Sequence, residues 1–322
     1  MLAGICQMLR QSPKYVDSKP CVISAHPERT LSLHPGVHAT TRKSLVSLRR
    51  RTRGTDTFIF GGGSLLQDVT SLRSLFWYAL AAMLVGDSAK TTVWWGQGIG
   101  PLNHVLSRTI VGYLVRKADI VAVRDDISAT VIRACAPGVA VDLCSDPAFV
   151  LGHGRLIERS SDGGICYSLR RWRSKELDLH PSILPPNAWH LPMHLPVDCL
   201  NSPGELVWDT GSNPFPLVMD AIGKSRAVIS VRLHTLILAA SLGIAVLPIS
   251  YDPKVTALAA RIGAPSLLFE DALRAGVSAD VEALLIRADD AGDYERRRLV
   301  AKQMFVDAYV PLRLLEGLSH HA

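Results

Sequence analysis

Hydrophobic positions along the chain alternate between two rhythms. Short runs rich in β-branched or aromatic residues, at 21–25, 57–60, 91–95 and 120–123, have the length of buried strands. Between them, longer stretches place apolar residues at helical spacing, over 3–10, 72–85, 106–117 and 128–135. A further strand is expected at 139–142, leading to Ser145-Asp146-Pro147. This alternation predicts an α/β fold with a parallel sheet. After Gly152 the rhythm restarts, with strands expected at 164–169, 227–230 and 245–249 and helices at 233–242 and 255–262. The pattern therefore predicts two Rossmann-like domains, 1–151 and 152–322. Positions 172–216 are rich in proline and poor in periodicity, which predicts loops and short elements, and the stretch after Asp271 reads as helical.

In parallel sheets, ligands sit beyond the carboxyl ends of the strands, so the residues just after each strand are the candidates for chemistry. The expected strand at 57–60 stops at Gly61–Gly63 and leads into a helix. Such glycines let backbone N–H groups, here of Gly62 and Gly63, approach an anion at a helix N-terminus. A tight turn that binds nothing is the competing reading. Trp95 to Pro101 repeats the layout, with Gln97 between two glycines, but it is not a G-x-G-x-x-G dinucleotide fingerprint. Arg124 follows the strand at 120–123, where its planar fork suits a carboxylate or phosphate; a surface pair with Asp125 is the alternative. Ser168 and Arg170 close the first strand of the second half, and of the neighbours Arg170 and Arg171 only one can face the ligand edge. Arg232 and His234 alternate just after another strand, pairing a cation for an anion with a group suited to proton transfer. Lys254 opens a helix after the next strand, and His194 and Asp198 form a polar pair in a loop.

Composition narrows the partners. The chain has 322 residues, 48% of them hydrophobic and 20% charged, enough for a large core and unlike a disordered chain. A net charge of +6 favours anionic partners. The excess reads as diffuse. Its densest run, Arg49 to Arg53 beside Lys43, reads as a solvated loop, and no basic stretch interleaved with aromatics points to nucleic acid. The six cysteines form no C-x-x-C pair, so neither a metal site nor a redox motif is indicated, and scattered thiols fit a reducing cytoplasm. No signal peptide is read at the start. The apolar run 75–86 falls short of the ~20 residues that span a bilayer and reads as a buried helix.

Taken in order, several segments resemble the polysaccharide pyruvyl transferases, the CsaB-like group. They are Ser24-Ala-His-Pro-Glu-Arg-Thr, Phe60-Gly-Gly-Gly-Ser-Leu-Leu-Gln-Asp-Val-Thr-Ser, Gly96-Gln-Gly-Ile-Gly-Pro, Val123-Arg-Asp with Ser128, and Ser145-Asp-Pro-Ala-Phe. In the second half they are Ser168-Leu-Arg, Pro192-Met-His, Arg232-Leu-His and Ser250-Tyr-Asp-Pro-Lys. The resemblance runs over roughly 1–265. It implies a glycosyltransferase-B-like fold with a cleft between the halves. It also implies phosphoenolpyruvate as donor, with no further cofactor, and a pair of sugar hydroxyls as acceptor, often on a lipid-linked cell-surface glycan precursor. A cytoplasmic enzyme working at the inner membrane face follows. Arg124, Arg232 and His234 match positions expected to hold or act on the donor, and Gly62, Gly63, Gln97, Ser168, Arg170, His194 and Lys254 fall in the substrate-binding segments. Family members usually begin with a strand and a loop ending in Asn-x-Gly-Asp-Glu, just before the helix that here begins at Met1. The resemblance thus implies an N-terminal domain truncated at its start, with a gap in its sheet. Two rival readings remain: a nucleotide-sugar glycosyltransferase on the same architecture, and a non-catalytic remnant. The acceptor sugar and the oligomeric state are left open.

Overall fold

The computed structural model describes residues 1–69, 71–154, 163–169, 187–193, 205–206 and 213–318. The chain divides into two units, Met1–Val150 with Val306 onward, and Leu151–Phe305. The final segment, which the sequence pattern places with the second half, packs with the first.

Unit 1 opens with α1 (Leu2–Gln11), β1 (Cys21–Ser24), α2 (Pro27–Leu33), β2 (His38–Thr41) and α3 (Leu45–Arg51). β1 and β2 pair in parallel as a sheet of their own. A second parallel sheet, in order β3-β4-β5-β6, is built from β3 (Thr57–Leu66), β4 (Thr91–Ile99), β5 (Ile120–Val123) and β6 (Asp142–Leu143). Its crossovers are α4 (Leu72–Gly86), α5 (Val105–Arg116) and α6 (Asp126–Cys135). Successive side chains of a strand point to opposite faces. Trp94 accordingly joins Phe60, Leu75, Ala79 and Val111 in one core, in an edge-on ring contact with Phe60 at 5.4 Å. Trp95 points the other way and donates from its indole to the carbonyl of Ala308 at 3.3 Å.

One local expectation fails. The glycine run 61–63 does not end β3, and Gly96–Gly98 does not end β4. The two strands stay paired through their glycines, Gly61 with Trp95 and Gly63 with Gln97, before the register shifts. Positive φ at Gly62 (39°) and Gly63 (100°) lets β3 bend without leaving the ladder. The helix behind these glycines starts only at Leu72, so they form no helix N-terminus.

Unit 2 holds one parallel sheet in the order β11-β10-β9-β7-β8. Its strands are β7 (Ile165–Ser168), β8 (Trp189–His190), β9 (Ala227–Ser230), β10 (Ala245–Ser250) and β11 (Leu267–Leu268). The helices of this part are α7 (Phe215–Gly223), α8 (Leu233–Ser241), α9 (Pro253–Ile262), α10 (Phe269–Ala275) and α11 (Ser278–Asp289). The inner strands β7, β9 and β10 are buried on both faces, as expected of a parallel sheet. Then α12 (Ala291–Ala308) carries the chain back to unit 1, where α13 (Val310–Leu318) packs on β4 and β5.

Candidate functional site

Among the described residues, the candidates lie toward the carboxyl edges of the two main sheets, one set in each unit. In unit 1, Arg124 leaves the end of β5 and is 7% exposed. Its guanidinium donates to Asp146 at 3.2 Å and to the hydroxyl of Ser64 at 2.8 Å, and lies 3.6 Å from Asp125. It thereby ties the last residues of β3 to chain leaving β5 and β6. A Cβ at Gly98 would stand 2.6–2.9 Å from the guanidinium, so this position on β4 must be glycine for the arginine to lie across the strand. The guanidinium has a structural task that the sequence reading omits.

Asp125 is no surface partner. It is buried and caps α6, accepting from the Ser128 amide at 2.7 Å. Asp146 accepts from the Ala148 amide at 3.0 Å with its other oxygen. Gln97 is wholly buried and donates to the carbonyls of Phe60 and Gly62 at 3.0 and 3.3 Å, while its amide oxygen has no hydrogen-bond partner among the described residues. The side chain of Met1 covers Gly62. Asp68, just past β3, accepts from the amides of Asn103 and His104 at 2.9 and 2.8 Å. Burial alone would raise its pKa, but these two amide bonds hold it below the usual carboxylate value. A separate cavity of about 300 Å³ lies at the amino ends of β1 and β2, lined by Cys6, Arg10, Lys19 and Val37 among others, and contains none of the candidates.

In unit 2, β7 and β9 end in register at Ser168 and Ser230. The Ser230 hydroxyl donates to the Ser168 carbonyl at 3.0 Å and accepts from the Arg232 amide at 2.8 Å. Thr235, in the first turn of α8, donates to the Ser168 hydroxyl at 3.2 Å. This wholly buried hydroxyl network fixes the path from β9 into α8. Arg232 is the N-cap residue of that helix and His234 sits in its first turn, both half-buried. The helix N-terminus beside them adds partial positive charge. Lys254, after β10, pairs with Asp252 at 3.0 Å, and Asp252 caps α9. Arg170, His194 and Asp198 lie outside the described residues.

The structure also brings forward a pair that the sequence reading missed. His190 on β8 is wholly buried; its Nε2 accepts from the Leu169 amide at 3.4 Å and its Nδ1 faces Glu205 at 3.3 Å. An Nε2 that accepts leaves the proton on Nδ1, so Nδ1–H donates to the carboxylate. Burial pushes the pKa of His190 down, against the pull of Glu205. Among the described residues, no group of three metal-binding side chains stands together and no helix is long and apolar enough to cross a membrane.

Comparison with known proteins separates fold from family. An S. aureus MnaA–UDP co-structure is similar with a TM-score of 0.59 at 13% identity, over 99% of this chain and 92% of that one. Anabaena Alr3699/HepE in complex with UDP and glucose gives 0.57 at 10% identity, over 98% and 95%. The UDP-GlcNAc 2-epimerase from Neisseria meningitidis bound to UDP-GlcNAc gives 0.56 at 14%, over 98% and 96%. At such identities the likeness is one of fold, an α/β pair of Rossmann-like domains of the glycosyltransferase-B type. No curated protein matches the chain. The sequence pattern of the polysaccharide pyruvyl transferase family matches residues 2–253, most of both units, and the chain belongs to that family.

Proposed function

We propose that this transferase moves the enolpyruvyl part of phosphoenolpyruvate onto two hydroxyls of a sugar, as a ketal, and releases phosphate. The methylene carbon gains a proton, the bond from the central carbon to the phosphate oxygen breaks, and two new bonds join that carbon to sugar oxygens. Of the two hydroxyl protons, one ends on the new methyl group and one on phosphate.

The observation that carries this reading is the meeting of Arg232, His234 and the start of α8 at one sheet edge, in a chain of this family. Arg232 grips the donor's carboxylate or phosphate, helped by the helix N-terminus. His234 delivers the proton to the methylene carbon or takes one from a hydroxyl. Lys254 adds positive charge, Ser168 belongs to the same edge, and Arg170 is assigned to the donor by its sequence motif. In unit 1, Gly62, Gly63 and Gln97 belong to the segments that the family resemblance assigns to substrate. Arg124 serves by holding that edge in shape. The acceptor is a sugar of a cell-surface glycan precursor, with His194 among its contacts.

Thermal unfolding with and without phosphoenolpyruvate tests the donor reading, since a ligand that binds only the folded state raises the melting temperature. The expected result is a rise that Arg232→Ala abolishes. His234→Ala should keep the rise and, once an acceptor is supplied, lower turnover by ~10²–10⁴-fold. A shift with a nucleoside diphosphate sugar and none with phosphoenolpyruvate would establish the glycosyltransferase instead.

A further inference from the structure

The outer face of α4 is out of character for a water-exposed helix. Its sequence, Leu-Arg-Ser-Leu-Phe-Trp-Tyr-Ala-Leu-Ala-Ala-Met-Leu-Val-Gly, holds a single charge. Leu75, Ala79, Ala82 and Val85 face the core, yet Leu72, Phe76 and Leu80 are 38%, 40% and 41% exposed. Spaced four apart, these three form one ridge on the helix. The next helix, α5, packs beside α4, and at its start Val105 and Leu106 are 75% and 57% exposed. A helix that is apolar all round is normally buried, and a contiguous exposed apolar patch marks a contact surface.

The charge around this patch says what covers it. Between positions 42 and 73, seven lysines and arginines stand against two carboxylates, so this stretch holds five of the six net positive charges of the chain. Both carboxylates are engaged, Asp56 with Lys90 at 2.7 Å and Asp68 with the backbone of α5. The basic excess that reads as diffuse along the sequence is concentrated here. Arg49, Arg50 and Arg51 form the exposed last turn of α3, which packs beside α4. Arg42 lies 6.0 Å over the ring of Trp77 and donates to the Tyr78 hydroxyl at 3.3 Å, on the flank of the ridge. A second copy of the chain would set like charges against each other. Apolar side chains flanked by cations and amphipathic aromatics match the boundary of an anionic bilayer, where the apolar groups enter the acyl region and the cations meet the headgroups.

We infer that the exposed face of α4, with the start of α5 and the arginines of α3, is a docking surface for an anionic lipid membrane. α4 and α5 begin beyond the carboxyl ends of β3 and β4, the edge where ligands of parallel sheets sit. Docking there brings a membrane-anchored acceptor to the substrate edge. The biological purpose rests on the lipid-linked acceptor of the reading above; the docking itself does not, and its test needs no turnover.

The test is co-sedimentation of the full chain with vesicles of equimolar phosphatidylcholine and phosphatidylglycerol, compared with phosphatidylcholine alone, at low and high salt. Binding is expected to the anionic vesicles only, and to fall as salt rises. Phe76→Ser/Leu80→Ser should weaken it by tenfold or more. Each arginine removed should weaken it by about fivefold, so Arg49→Gln/Arg50→Gln/Arg51→Gln should cost about a hundredfold. All of these positions are exposed, and thermal melts should show unchanged folding. Absence of binding to anionic vesicles would overturn the inference, as would binding indifferent to both variants. Dissociation of a dimer by Phe76→Ser/Leu80→Ser, seen by analytical ultracentrifugation, would assign the face to self-association and equally overturn it.

Discussion

Replacing Arg124 by methionine separates a structural arginine from one that only grips substrate. The substitution keeps much of the side-chain volume but removes the cation from beside Asp146 and Asp125, which are 3% and 6% exposed. Breaking a buried ion pair by deleting one partner costs ~3–5 kcal/mol, because the other charge stays buried without compensation. Here both carboxylates retain a backbone donor, the amides of Ala148 and Ser128, so the lower end, about 3 kcal/mol, is expected. With a urea dependence of ~2 kcal/mol per molar, the midpoint of unit 1 should fall by about 1.5 M. Tryptophan emission can follow it, since Trp94 and Trp95 are wholly buried on β4. The two units need not unfold together, so the unit 1 transition must be fitted on its own. Arg124→Met/Asp146→Asn should recover part of the loss, because the stranded charge is gone, and the cycle should show a coupling of at least ~1 kcal/mol. A loss below about 1 kcal/mol in the single variant, or a double variant no better than additive, would refute the structural role and leave substrate contact as the reason for the arginine.

Two titrating groups give further tests. The pKa of Asp68 is depressed in the folded state, so its contribution to stability is full above the ordinary carboxylate value of about 3.9 and is lost as pH falls through the folded value. Asp68→Ala should cost ~1–2 kcal/mol at neutral pH, as expected for a lost helix cap, and flatten the acid limb of the stability curve below about pH 4. His190 works in another window. Its folded pKa lies below the unfolded value of about 6.5, so between the two the unfolded chain binds more protons and stability falls on acidification. His190→Gln should flatten the melting temperature between the neutral plateau and that lower limit, and a profile as steep as the parent's would rule His190 out as its source.

The sequence makes strands legible where a β-branched run is bracketed by glycine, proline or charge. β5 and β9 have the bounds that the hydrophobic pattern predicts. The glycine runs misled for a physical reason. Isolated glycines near a strand end read as a turn, but in a pair of strands both can bend at positive φ and remain hydrogen-bonded, as β3 and β4 do. Only the partner strand reveals this, and it lies 34 residues away in register, with Gly63 facing Gln97. His190 was illegible because its segment is short, proline-flanked and without periodicity, and because Glu205 stands fifteen residues on.

The candidate positions themselves were found by a rule about strand ends rather than by periodicity, and this explains what was and was not seen. Periodicity tells which face a residue occupies; it says nothing of which strand ends lie side by side. The segments Arg124-Asp125 and Ser145-Asp146 each stand out in the sequence, yet that a guanidinium joins them, over a glycine of a third strand, depends on the order β3-β4-β5-β6. In unit 2 the same holds for Ser168, Ser230 and Thr235. Ser168 stands out in the sequence, Ser230 and Thr235 do not, and only the parallel register of β7 with β9 closes the three into a network under Arg232 and His234. A buried network of this kind holds its shape only while every member is satisfied. Changes to Ser168 or Ser230 should therefore act on the donor edge through the start of α8, before any direct contact with substrate is lost.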